Sequence, residues 1–192
     1  MTKPTYNEAC AAIRTVLQFI GENPDRPGLQ HTPARFLNAW RSEWCRGYDM
    51  PEPELKMFPD EYSSPAQRDL VVIKDISLWS TCEHHLAPFH GTAHVAYIPT
   101  KSGVVGLSKF PRVVEYFSRR LQVQERLTDQ IADYIVRCTE SEGVGVVIKA
   151  KHLCMCSRGV NQPNAITTTS ALRGVFFNRP EVRSEFLKLI HS

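Results

Sequence analysis

A chain of 192 residues fits one ordinary domain with a helical appendage and is too short for two full domains. Hydrophobic residues make up 42% and charged residues 22%, a globular composition that excludes a disordered chain, and no apolar run approaches the ~18 residues of a membrane span. The formal charge of +3 is spread along the sequence, so no basic block marks a nucleic-acid or membrane partner.

The N-terminus lacks the apolar core of a secretion signal, which predicts a cytoplasmic protein. Residues 6–20 then place Ala9, Ile13, Val16, Leu17 and Ile20 on one helical face, ending at Gly21. Thr32-Pro33 reads as an N-cap followed by the proline favoured at a first helical position, and Phe36, Leu37, Trp40 and Trp44 form an expected buried stripe up to Gly47. These two helices make a helical region over 1–48. Residues 49–68 carry Pro51, Pro53, Pro59 and Pro65 and read as an extended connection to a main domain over 69–192.

Two β-rich runs open that domain, residues 69–80 and 91–99, an antiparallel pair with residues 80–90 at its tip. From Ser108, Phe110, Val113, Val114, Phe117 and Leu121 recur at helical spacing, and Leu127, Ile131, Ile135 and Cys138 repeat the pattern after Val123. A β-branched strand from Gly143 delivers His152 and Cys154, residues 165–177 are its candidate partner, and 180–190 close the chain as a short helix. The order ααββααββ predicts an α+β fold with helices on one face of a four-stranded antiparallel sheet. Such a sheet exposes two edges, and oligomerisation is an economical way to cover them.

The chemistry concentrates in Ser80-Thr-Cys-Glu-His-His85 and His152-Leu-Cys-Met-Cys156. Cys82 and His85 stand three apart, so one tight turn aims both at a point, and Cys154 supplies a third ligand of a Cys2His zinc site with its fourth position open to water, the pattern of a catalytic centre. The rival is a closed structural site in which Cys156 joins Cys154 from the same strand face. Six cysteines scattered at 10, 45, 82, 138, 154 and 156 suit a metal better than a disulfide framework, with Cys10, Cys45 and Cys138 as small core residues.

Over nearly its whole length the sequence resembles the GTP cyclohydrolase I family, zinc enzymes that open the purine ring of GTP. The resemblance is carried by Thr32-Pro-Ala-Arg35, the Cys82 motif, Val105-Gly-Leu-Ser-Lys109, Arg120-Leu-Gln-Val-Gln-Glu-Arg-Leu-Thr128, the Cys154 motif through Gly159, and Thr168-Thr-Ser-Ala-Leu-Arg-Gly174. It implies the tunnelling fold, in which sheets of neighbouring subunits join into a barrel, and a homodecamer with active sites between subunits. Residues 69–192 become the catalytic domain. Cys82, His85 and Cys154 become ligands of Zn2+, with Cys156 outside. His152 becomes an acid–base group at the imidazole ring of guanine, and His84 the proton donor that opens the ribose; an imidazole suits both roles because its pKa of ~6.5 lies near neutrality.

The resemblance also implies that Glu125 reads the guanine edge with Gln124 beside it, that Ser108 and Lys109 contact the ribose and phosphates, and that Arg35, Arg112 and Arg158 hold the triphosphate through paired, charge-assisted bonds. Asn38 departs from the family's usual lysine, and the stretch 161–166 departs from its usual loop. The implied reaction takes GTP and water to 7,8-dihydroneopterin triphosphate and formate, without an organic cofactor. Two alternatives are a fold relative acting on another guanine nucleotide or a pterin, and a catalytically silent oligomer that keeps zinc for structure. Retention of His84, His152 and Glu125 speaks against the silent form.

Overall fold

A computed structural model describes residues 2–59, 69–100 and 103–191, and these divide into two compact units, Met1–Arg46 and Gly47–Ser192. Part of the expected 49–68 connection, residues 60–68, lies outside the described residues.

In the first unit, helix α1 (Tyr6–Phe19) starts at a capping box: Glu8 N–H donates to the Thr5 hydroxyl, and Thr5 N–H donates to the Glu8 carboxylate at 2.7 Å. None of its residues is buried, and Val16 and Ile20 face solvent in the isolated chain. Helix α2 (Thr32–Ala39) has His31, not Thr32, at the N-cap position, with Pro33 in the first turn. Beyond Ala39 the chain widens into a π-helical turn, Trp40–Trp44, closed by Cys45 N–H donating to the Trp40 carbonyl at 2.7 Å. The extra residue per turn slips the phase of the expected buried stripe. Phe36 and Trp40 pack edge to face at 4.7 Å, while Trp44 is left 45% exposed.

In the second unit, β1 (Met57–Phe58) pairs with β4 (Val104–Val105), and a separate sheet is built on four long strands: β2 (Val71–Cys82), β3 (Pro88–Tyr97), β6 (Gly143–His152) and β7 (Thr167–Gly174). The fifth is β5 (Leu121–Gln122), parallel to the end of β2, so the order is β5-β2-β3-β6-β7 and the sheet has five strands instead of four. Helix α3 (Lys109–Ser118) stops before Leu121, which the helical spacing had included. Its C-cap residue Arg119 leaves helical geometry at ψ 53, and Arg120 lays its guanidinium over the Tyr116 ring at 4.1 Å, turning the chain toward β2.

Helices lie on both faces of the sheet, which corrects the one-face expectation. Alternation along β3 and β6 sends Phe89, Ala93, Val95, Val146 and Ile148 to a core shared with α3 and with α4 (Gln124–Thr139). The intervening Ala96 and Val147 meet Phe176 of α6 (Val175–Asn178) and Phe186 of α7 (Pro180–Leu189) on the other side. A period-two reading gives both sets of side chains but not what covers the second. Cys10, Cys45 and Cys138, expected in the core, are half-buried, with Cys138 packed against it, and none of the six cysteines forms a disulfide.

Register brings the chemistry to one end of the sheet. Thr81 pairs with Pro88, Phe89 with His152, and Ala150 with Thr167. At Gly91 the backbones of β3 and β6 run so close that a Cβ would sit 1.9 Å from the Lys149 carbonyl oxygen, which leaves room for glycine alone.

Candidate metal centre and active site

The turn between β2 and β3 is shorter than expected, because the strands run on to Cys82 and Pro88 and only 83–87 connect them. Cys82 N–H donates to the Ala87 carbonyl and Leu86 N–H to the Cys82 carbonyl, both at 2.8 Å, and Leu86 takes a positive φ of 51°. This tight closure directs Cys82 and His85 together, with Sγ and Nδ1 3.7 Å apart. A second clamp acts from the side: Glu83 N–H donates to the Gln122 carbonyl of β5 at 3.1 Å, and Arg126 of α4 grips the Glu83 carboxylate through both terminal nitrogens. That pairing holds Glu83 below the usual carboxylate range.

The third cysteine arrives differently from the sequence expectation. Strand β6 ends at His152, and Leu153–Cys156 form a single helical turn, α5. Cys154 points to the turn, and the ligand atoms of Cys82, His85 and Cys154 lie within 4.8 Å of one another. Helical geometry separates residues 154 and 156 by roughly 200°, so the shared strand face that the closed-site rival required is lost. Cys156 is outside the cluster.

The donor set fits a metal ion. Thiolate and imidazole bonds of ~2.0–2.3 Å at tetrahedral angles put neighbouring ligand atoms about 3.6 Å apart, close to the Cys82–His85 spacing. Burial first, and then the adjoining Cys82 thiol, push the Cys154 thiol above its ordinary range, with Arg158 opposing. A cation beside the Cys154 sulfur would favour its thiolate against that rise.

Beside the cluster, the His152 ring lies flat on Phe89, centroids 4.5 Å apart at 7°. Its Nε2 is 2.8 Å from Gln124 Oε1. Burial lowers the His152 pKa from its ordinary value, partly countered by the nearby Glu125 carboxylate. Gln124, the first residue of α4, is 1% exposed and spends its amide on protein partners, whereas its neighbour Glu125 is exposed.

His84 projects outward, 64% exposed, with Nε2 3.9 Å from a Glu83 carboxylate oxygen. Ser108 holds the N-cap position of α3, followed by Lys109 and Arg112 on its first turn, and Arg158 lies just past α5. Arg35 belongs to α2 in the first unit, where Tyr6 donates to Asn38 Oδ1 at 3.0 Å. The side chains of Arg35, Lys109 and Arg112 make no hydrogen bond or ion pair among the described residues. Thus the fold brings Cys82, His85, Cys154, His152, Gln124 and Glu125 to one end of the sheet. It adds Phe89, Gln122, Arg126, Thr128 and Thr169, which sequence reasoning left without roles. Gln122, Arg126 and Thr128 had one signal, their place with Glu125 in a carrying motif, and Thr169 lies in another.

Residues 9–191 match the family model described as GTP cyclohydrolase I. Among curated relatives, GTP cyclohydrolase 1 of Mycobacterium avium (strain 104) is 52% identical over 182 residues, covering 94% of this chain and 87% of that protein. GTP cyclohydrolase 1 of Campylobacter jejuni subsp. doylei is 48% identical over 180 residues, 94% of this chain and 93% of its own. That of Chlorobium chlorochromatii (strain CaD3) is 52% identical over 182 residues, 94% and 79% respectively. The crystal structure of the archaeosine synthase QueF-Like in the apo form overlaps 58% of this chain and 97% of its own, at 20% identity and a TM-score of 0.44.

Proposed function

This chain belongs to the GTP cyclohydrolase I family, and we propose that it performs the family's reaction at the Cys82–His85–Cys154 end of the sheet, with zinc as the metal. It is an enzyme that converts GTP, with water, to 7,8-dihydroneopterin triphosphate and formate, a step of pterin biosynthesis. The observation that carries the reading is the convergence of two thiols and an imidazole within 4.8 Å beside a histidine held by a hydrogen bond to Gln124.

Cys82, His85 and Cys154 would hold the ion. When bound, zinc with one open position supplies Lewis-acid activation of water near neutral pH. The protein's side chains carry the rest. Glu125 accepts from two N–H groups on the guanine edge, a pairing adenine lacks. His152 exchanges a proton with the five-membered ring of the base as C8 is hydrolysed away from its two nitrogens and leaves as formate. Gln124 adjoins that base position and acts with His152. His84, solvent-facing on the metal turn, gives a proton to the ribose ring oxygen as the sugar opens, after which ring closure expels water. Ser108 and Lys109 contact the ribose and its phosphate. Arg112 and Arg158 hold the triphosphate with charge-assisted bonds, and the resemblance alone adds Arg35.

The assembly we propose is a homodecamer in which sheets join edge to edge and subunits share active sites. Two features support it: β7 has a strand partner only in β6, and β2 meets β5 only at Thr81 and Cys82, so both long edges of the sheet are open among the described residues. No helix among the described residues is long and apolar enough to cross a membrane, and the proposed compartment is the cytoplasm.

Paired variants test the metal assignment. Cys154→Ser is expected to lose both zinc and GTP turnover, and Cys156→Ser to keep both. Zinc loss from Cys156→Ser would restore the closed structural site and overturn the catalytic reading.

A further inference from the structure

The buried hydrogen bonds around Gln124 have a forced direction. Its Nε2 lies 3.1 Å from the Ile148 carbonyl, 3.1 Å from the Thr167 carbonyl and 3.1 Å from the Thr169 hydroxyl. Carbonyl oxygens only accept, so the amide nitrogen must be the atom facing them; the flipped amide would set oxygen against two oxygens at a residue that is 1% exposed. Thr128 donates its one hydroxyl proton to the Gln124 backbone carbonyl at 2.6 Å. Its 2.7 Å contact with Thr169 therefore has Thr169 as donor, which leaves the Thr169 oxygen lone pairs to accept from the Gln124 amide. The hydroxyl protons of Thr128 and Thr169 are thus placed by elimination, and the two amide protons of Gln124 serve the three acceptors around them.

The consequence falls on His152. With Nε2 of Gln124 committed, Oε1 is the atom 2.8 Å from His152 Nε2, and an amide oxygen has no proton to offer. His152 Nε2 must carry the hydrogen. Its Nδ1 has no hydrogen-bond partner among the described residues, and the flat stack on Phe89 fixes the ring plane. Resting on the reading of His152 as the acid–base group, we propose that Gln124 is a positioning residue: backed by the Thr169–Thr128 hydroxyl pair, it locks the hydrogen of His152 on Nε2 and leaves Nδ1 as the nitrogen that exchanges the proton with the substrate. Gln124 thus serves the reaction through His152 without touching the base by its side chain. The arrangement has the logic of an orienting partner behind a catalytic histidine, with an amide oxygen where other enzymes use a carboxylate.

The test is a solid-state 15N spectrum of the zinc-loaded protein with ring-labelled histidine, the His152 signals being identified by their loss in His152→Asn. Wild type is expected to show a protonated Nε2 and an unprotonated Nδ1. Gln124→Leu is expected to mix or reverse the tautomer and lower kcat by roughly 100-fold, the lower end of what a positioned acid–base group contributes, with zinc content and KM for GTP little changed. Thr169→Val, which removes the acceptor behind the amide together with the donor to Thr128, moves both readouts in the same direction by less, and Thr169→Ser restores them. This pair keeps the test decisive if Gln124→Leu does not fold. A protonated Nδ1 in wild type, or a tautomer that survives Gln124→Leu and Thr169→Val unchanged, overturns the lock. Full turnover in His152→Asn overturns the catalytic role on which the proposal rests, and the wild-type spectrum then still reports the tautomer by itself.

Discussion

Replacing Gly91 by alanine strikes the closest approach between the two strands that frame the candidate site. The added Cβ would lie 1.9 Å from the Lys149 carbonyl oxygen and 2.7 Å from Ala150 Cα, where ordinary contact starts at 3.4 Å, so β3 and β6 must part locally by about 1.5 Å, the shortfall from 3.4 to 1.9. The clash is with backbone, and no side chain can swing aside. Overpacking of this kind costs about 1–3 kcal/mol, and lengthened ladder hydrogen bonds add about 1 kcal/mol each. A total of about 3 kcal/mol corresponds to a Tm drop of roughly 6–12 °C in a chain of this size. Phe89 and His152 are register partners two residues along the same ladder, so the stack and the His152–Gln124 bond loosen too, and kcat should fall with Tm. Thermal unfolding by circular dichroism at fixed protein and zinc concentration reads the first effect, and GTP turnover the second. A Tm within about 2 °C of wild type would refute the packing argument.

Two further changes probe separate links. Glu125→Gln is expected to cripple GTP turnover while zinc content stays at wild-type level, because one acceptor of the guanine edge becomes a donor; an unaltered kcat/KM removes Glu125 from the base site. His94, buried on β3, accepts a hydrogen bond from Asp75 N–H at 3.2 Å, and burial, with Lys149, His191 and Lys74 adding to it against the opposing Asp75, holds its pKa below 6.5. The unfolded chain therefore binds that proton more readily, so the contribution of His94 to stability is constant above pH 6.5 and falls as pH drops from there toward the folded-state pKa. His94→Gln should flatten this acid slope by about one proton in denaturant titrations across that window, and identical slopes in both proteins would exclude His94 as its source.

Sequence patterns revealed those parts of the fold that local chemistry dictates. Alternation located four long strands, the three-residue spacing of Cys82 and His85 located the turn, and Pro180 opens the closing helix as expected. Two-residue strands escaped, since Leu121–Gln122 and Met57–Phe58 are too short for any period and form only by pairing with distant partners. Leu121 looked helical because Phe117 precedes it by four residues, yet Arg120 turns the chain away. The helical turn at Cys154 was hidden by a run of β-branched residues leading into it. Least legible were the supports of the site: Thr128 and Thr169 are 41 residues apart, and the hydrogen bonds that join them to each other and to Gln124 leave no local pattern. The ligands are readable because chemistry restricts their type, while the groups that orient them are defined only by folded distance.

The most direct measurement is to incubate the zinc-loaded protein with GTP carrying an isotopic label at C8, then measure labelled formate and, after oxidation, neopterin fluorescence. The account predicts that each GTP consumed gives one labelled formate and one pterin triphosphate. Recovery of intact GTP, or label retained in a purine or pterin product, would contradict it.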